Sequence, residues 1–194
     1  MKTDYNKLKK EFLDYLKKER GFSDYTVKSY NIDIKIFFDF CKKLDVYFGP
    51  YLDKVKPLTI RNFLADEMAK IQSSKSRSKS LSEKTIARRL ASVKALFRYL
   101  YNFEKILDNP TIYIKTPKSS KMLPSFVKEK DIKMLMDEPL KNIITNESDA
   151  YRDIAILETL YATGLRLSEL LSLDICDIDK NNGMVKVIGK GNKE

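Results

Sequence analysis

Tyr161-Ala162-Thr163-Gly164-Leu165-Arg166-Leu167-Ser168-Glu169-Leu170 is the stretch whose reading decides the fold of this chain. A helical run ends at Gly164, a helix stop, and Arg166 opens a new amphipathic turn just past it. Downstream, Met184-Val185-Lys186-Val187-Ile188 alternates as a strand, and Gly189-Lys190-Gly191-Asn192 reads as a hairpin turn. Helix stop, helix start and hairpin together predict a mixed α/β piece. An arginine at the helix start and a lysine at the hairpin tip are the parts of a phosphate clamp.

Working back toward the amino terminus, the chain turns helical throughout. Leu8, Phe12, Tyr15 and Leu16 recur at helical spacing until Gly21 closes the segment. Ser23 is the N-cap expected for a second helix, with an apolar stripe of Val27, Tyr30, Ile34, Phe37, Phe38 and Cys41. Thr59 is expected to cap a third through about Lys70, with Ile60, Phe63, Leu64 and Met68 inward. A polar, basic loop follows, Ser73-Ser74-Lys75-Ser76-Arg77-Ser78-Lys79-Ser80, which reads as solvated and able to order on a phosphate backbone. A fourth helix is predicted over Glu83 to Tyr101. Its stripe is Ile86, Leu90, Val93, Phe97 and Leu100, and Lys84, Arg88, Lys94 and Arg98 fall on the other side. An ordinary exposed helix face mixes signs to form pairs four residues apart. This one carries no acid beyond Glu83, and a greasy back with a cationic front suits a DNA groove.

The predicted organisation is a helical domain over residues 1–110, a Pro/Ser/Lys linker over 111–123, and a second domain over 124–194. Helices are expected there at about 128–137, at 149–163 with Ile154, Leu157, Leu160 and Tyr161 turned to a core, and from Arg166 to Leu173. The charge divides the same way. Residues 1–110 hold 24 Lys+Arg against 14 Asp+Glu, and residues 111–194 hold 13 against 13, so the whole excess of +10 lies in the first part. Segregation of this kind marks a module that meets a polyanion. The chain has no histidine and two distant cysteines, Cys41 and Cys176, which argues against a zinc site and for a metal-free, cofactor-free protein. No apolar run approaches the ~20 residues of a membrane span, and no secretory signal is visible, so a cytoplasmic location is expected.

These residues resemble the tyrosine recombinases, and within them the Xer-like resolvases and phage-type integrases. Gly21-Phe22-Ser23-Asp24-Tyr25-Thr26, leading to Tyr30, Asp33 and Phe37, is similar to the family's SAM-like core-binding domain. Ser82 through Leu90 and on to Leu100 resembles its last long DNA-facing helix, which adds Arg89 to the DNA-binding candidates Lys75, Arg77, Lys79, Lys84, Arg88, Lys94 and Arg98. Asn109-Pro110, Lys115-Thr116-Pro117-Lys118 and Leu123-Pro124 are similar to the family's linker. The motif around Arg166 and the Ile188–Glu194 hairpin resemble the start of the catalytic domain.

The resemblance implies a mainly α fold: a core-binding domain followed by a truncated mixed α/β catalytic domain with a β-hairpin. It implies site-specific recombination of double-stranded DNA through a 3′-phosphotyrosine, with other recombinase protomers as partners in a tetrameric synapse and no small-molecule substrate. Arg166 would grip the scissile phosphate, and Lys190 would protonate the leaving 5′-oxygen. Glu169 is expected to hold the arginine. The family pattern also asks for a His-x-x-Arg arginine, a further His or Trp, and a carboxy-terminal tyrosine. The chain contains no histidine or tryptophan, and none of its 11 tyrosines falls where the nucleophile would be. Tyr151 and Tyr161 are expected to face a core. The sequence is therefore read as truncated and inactive alone, with apolar surface exposed around Ile156, Leu160, Leu170 and Leu171. The competing readings are a DNA-binding module without chemistry and a basic helical scaffold for other polyanions.

Overall fold

A computed structural model describes residues 4–44, 52–73, 83–117, 126–144 and 146–189. The chain divides into two compact units, Met1–Met122 and Leu123–Glu194. Helix predominates: α1 (Tyr5–Lys18), α2 (Asp24–Lys43), α3 (Pro57–Ser73) and α4 (Glu83–Asn102) in the first unit, and α5 (Glu129–Asp137), α6 (Glu147–Thr163) and α7 (Leu167–Leu170) in the second. Two short antiparallel strands, β1 (Ile178–Asp179) and β2 (Met184–Val185), complete the second unit's described elements.

Local chemistry sets the helix ends of the first unit. The Asp4 carboxylate accepts from the Asn6 and Lys7 N–H groups at the start of α1. Gly21 at φ +64° reverses the chain after α1, and the Phe22 N–H bonds back to the Leu16 carbonyl at 3.0 Å. Ser23 then caps α2, accepting from the Thr26 N–H. The third helix begins earlier than its threonine signals. Pro57 takes the first position, where a missing N–H costs nothing, and Thr59 lies inside the first turn.

One phenylalanine from each helix fills the centre. Phe12, Phe37, Phe63 and Phe97 are fully buried. Phe37 meets Phe63 edge-on at 5.3 Å and Phe97 at 6.0 Å, while Phe12 lies 5.5 Å from Tyr99. Ile106, Thr111 and Ile114 are buried beyond α4, so the beginning of the stretch read as linker packs on this unit. Asn109 Oδ1 fixes it by accepting from the Thr111 N–H and hydroxyl.

Charge crosses the same core. Asp33 on α2 and Glu67 on α3 are completely buried, and α4 answers both. Arg88 Nη1 reaches Asp33 Oδ2 at 2.5 Å, and the Ser92 hydroxyl donates to the same oxygen at 2.8 Å. Arg89, nearly buried, pairs with Glu67 and lies 3.9 Å from the other Asp33 oxygen. Lys70 closes on Glu67 at 2.6 Å and Asp66 at 2.7 Å. Met68, expected to point inward, is instead exposed, because Glu67 occupies the middle of that face.

The second unit is thinly packed. Asn146 caps α6 through the Asp149 N–H, and Gly164 at φ +67° ends it, its N–H on the Leu160 carbonyl. Ile154, Leu157 and Leu160 of α6 are only half-buried, and Ala150 is its one buried residue. Tyr151 and Tyr161 face solvent rather than a core, at 56% and 66% exposure. Of the four residues expected to form an apolar surface, Leu171 is exposed while Ile156, Leu160 and Leu170 are half-buried. The helix expected from Arg166 to Leu173 is shorter, Leu167–Leu170, with a 3₁₀ turn at Ile175–Asp177 after it. The strand expected over Met184–Ile188 narrows to Met184–Val185, which pairs back to Ile178–Asp179.

Removing a member of the buried charge set tests this packing. Glu67→Ala leaves the nearly buried Arg89 charge without its close partner and should cost about 3–5 kcal/mol in urea unfolding followed by circular dichroism. Arg88→Ala should cost less, because Asp33 keeps Ser92 and Arg89; equal losses would contradict the arrangement. The cysteines give a second test. Burial pushes the Cys41 thiol up to about 12, whereas Cys176 is exposed. At pH 8 a disulfide reagent should label Cys176 at once and Cys41 only on unfolding. An unfolded thiol ionises near pH ~8.5 while folded Cys41 keeps its proton. Cys41's contribution to stability is therefore full below that pH and declines as pH rises toward 12. Equal labelling of the two thiols in the native protein would refute the burial.

Candidate nucleic-acid interface and phosphate-facing arginine

The fourth helix presents its cations as its periodicity requires. With Ile86, Leu90, Val93, Leu96, Phe97 and Leu100 buried, Lys84 and Arg98 stand exposed on the opposite side. Arg88 belongs to both environments: its side chain is 48% exposed, with one nitrogen on Asp33 and other donors free to face outward. Lys94 is half-buried, its Nζ 3.5 Å from the Thr116 hydroxyl. Arg89 turns the other way. Its guanidinium is engaged by Glu67 and Asp33, so the structure corrects the expectation that it belongs to the outer cationic face. Lys75, Arg77 and Lys79 lie outside the described residues.

Sequence reasoning missed Asp33 and Glu67 as parts of this site. Both hold α4 rather than touching its outer surface, and a carboxylate on an apolar stripe was the available signal.

In the second unit, Arg166 follows the left-handed Gly164 and precedes α7. Its backbone N–H donates to Glu169 Oε2 at 2.8 Å, and Nη1 reaches Glu169 Oε1 at 2.5 Å. Glu169 is buried while the Arg166 side chain is 71% exposed, so the carboxylate holds the arginine from behind. The expected holding role of Glu169 is met. The Arg166 N–H, then its side chain, keep the Glu169 carboxyl below its usual range. A planar fork with one nitrogen anchored still offers donors to an oxyanion. Lys190 and most of the expected hairpin tip lie outside the described residues. Among the described residues, no group of three His, Cys, Asp or Glu could hold a metal ion, and no helix is long and apolar enough to cross a membrane.

A bundle of helices with one cation-faced member, followed by an arginine-centred α/β unit, defines a chain of the integrase type. The family described as "Phage integrase, N-terminal SAM-like domain" matches residues 10–103, and "Phage integrase family" matches residues 125–194. The chain belongs to this family, the tyrosine recombinases. It is 34% identical over 183 residues to "Tyrosine recombinase XerC" of Thermodesulfovibrio yellowstonii, covering 94% of this chain and 54% of that protein. It is 35% identical over 189 residues to "Tyrosine recombinase XerD" of Listeria monocytogenes, covering 97% of this chain and 59% of that protein. The chain thus spans little more than half the length of these curated relatives. Among solved structures it resembles the XerH site-specific recombinase bound to its difH substrate, with a TM-score of 0.60 at 21% identity over 95% of this chain and 50% of that one. That likeness concerns the fold.

Glu169 makes a pH-dependent brace. Its folded carboxyl titrates below the unfolded value, so the brace is present at neutral pH and is lost as pH falls through the folded value. A carbon-detected NMR titration should place Glu169 below the ordinary glutamate value, and Arg166→Ala should move it upward. An unmoved midpoint in that variant would contradict the side-chain contact.

Proposed function

We propose that this chain serves site-specific DNA recombination, the first unit gripping double-stranded DNA and the second supplying Arg166 and Lys190 to the scissile phosphate. The observation that carries this reading is the cationic face of α4, built on a helix whose back is locked in the core and whose Lys84, Lys94 and Arg98 form no ion pair among the described residues. Family membership supplies the reaction class, and the Xer names of the relatives favour chromosome resolution, with its link to partition and cell division, over mobile-element integration. The partners are the duplex and further recombinase protomers, and the place of action is the cytoplasm, where the DNA lies.

In this reading Arg166 pairs with phosphate oxygens and stabilises the charge that builds in the pentavalent transition state. Lys190 protonates the departing 5′-oxygen. The nucleophilic tyrosine, the second arginine and the histidine that the reaction needs are not among these 194 residues.

Lys84→Ala and Lys94→Ala test the reading, because each removes a cation of the α4 face without entering the buried charge set. In fluorescence anisotropy with a 30-base-pair duplex, each should weaken binding several-fold and reduce the salt slope by about 0.9 per lost phosphate contact. Unchanged affinity in the double variant would sink the assignment of α4. Arg166→Ala likewise removes one phosphate contact and should weaken binding no more than several-fold.

A further inference from the structure

A cleft of about 160 Å³ opens in the first unit beside the end of α1, lined by Arg20, Arg98, Tyr30, Asn102, Phe22 and Tyr15 among others. Its position follows from the turn after α1. The Arg20 N–H bonds the Tyr15 carbonyl at 3.1 Å, Gly21 takes its left-handed conformation, and Phe22 returns to lie 5.9 Å from the Tyr30 ring. Tyr15 meets Tyr99 in a tilted ring contact at 4.9 Å, and both line the cleft. The polar groups of the lining are two guanidinium groups, three phenols and a carboxamide.

No carboxylate lines the cleft. Guanidinium groups only donate, and phenols and a carboxamide can donate too, so the lining is rich in donors; the one carboxylate whose charge reaches it, Asp33 against Tyr30, is already held by Arg88 and Ser92. Its volume equals about five waters at ~30 Å³ each, room for a tetrahedral oxyanion and not for a nucleoside. Burial and then the Asp33 charge push the Tyr30 phenol up, and the charges of Arg98 and Arg20 oppose that shift; the hydroxyl stays protonated near neutrality and can donate. Arg98 also belongs to the outer face of α4. From Lys84 to Arg98 that face runs about 21 Å at ~1.5 Å per residue, or roughly six base-pair steps. The cleft therefore lies at one end of the cationic row.

We propose that this cleft is a phosphate seat in which Arg20 and Arg98 grip one backbone phosphate of double-stranded DNA, with the Tyr30 hydroxyl as a third donor. The proposal rests on the DNA-binding reading above and adds to it Arg20 and Tyr30, a contact made from the end of α1 and from α2 rather than from α4 alone. Arg20 also complements the carbonyl end of α1, a role that would affect stability without affecting DNA.

The test uses the full chain and the same duplex. Arg20→Ala and Arg98→Ala should each weaken binding about tenfold and lower the salt slope by about 0.9. Their double variant should lose less than the product of the single losses, because both hold one phosphate. Tyr30→Phe should lose a few-fold. Lys54→Ala, which removes an exposed cation outside the cleft, should stay within twofold. Arg20→Gln, with helicity checked by circular dichroism, replaces Arg20→Ala if that variant unfolds. Parental affinity and slope in the Arg20 variant, with duplex binding intact in the parent, would overturn the seat and leave the DNA-binding reading standing. Losses of equal size in Lys54→Ala would reduce the effect to net charge and also overturn it. Absence of duplex binding by the parent at low salt would overturn both. Amide NMR shifts at Phe22, Tyr30 and Asn102 should appear with duplex; shifts with inorganic phosphate alone and none with duplex would assign the cleft to a free anion and reject the proposal.

Discussion

The buried meeting of Asp33 and Glu67 with Arg88 and Arg89 is the constraint on which the first unit depends. Two carboxylates removed from water are tolerable only if charge and hydrogen bonds answer them; α4 supplies charge to both and hydrogen bonds to Asp33, and Lys70 of α3 donates to Glu67. An apolar seam would allow α4 to rotate or slide with modest loss. A paired set of charges, fixed to α2 on one side and α3 on the other, makes other rotations costly. The direction in which Lys84, Lys94 and Arg98 face is thus decided inside the core, by residues that need not touch DNA themselves.

Arg88 and Arg89 show how one adjacent pair divides its work. Successive residues on a helix are separated by ~100°, so two arginines in sequence cannot share a face. Arg88 keeps one nitrogen on Asp33 and remains half exposed; Arg89 is drawn inside. Arg166 repeats the principle in the second unit, held through backbone and guanidinium by a buried Glu169 while most of its side chain is exposed. In both places a carboxylate fixes the arginine while leaving part of its guanidinium exposed.

Much of this was legible in the sequence. The four amino-terminal helices follow from apolar periodicity and from Ser23 and Gly21, and the outward row on α4 follows from the same arithmetic. The inward turn of Arg89 was legible too, although the family resemblance placed it on the DNA side. Taking Lys84 as zero, residue 89 falls at about 140°, within ~20° of Leu100 and about 100° from Arg88. Glu67 gave a similar sign, lying on the wheel between Phe63 and Leu64 where an apolar residue is the rule. A charge in that position asks for a buried partner. That Asp33 would also join it was not readable, because it depends on how α2 crosses α4. The second unit was less legible. Its apolar residues have helical spacing, yet tyrosines assigned to a core are exposed and the strand contracts to two residues, since periodicity marks a face and does not say whether anything covers it.

The most direct test of the central claim is the salt dependence of duplex binding by the unaltered chain. If the buried charges hold α4 with its cations outward, several phosphates are neutralised at once. The logarithm of affinity should then fall with the logarithm of salt at a slope of about −3 or steeper, at ~0.9 per contact. A slope near zero, or no binding at low salt, would contradict the account, because the cationic face would then meet water and not a phosphate backbone.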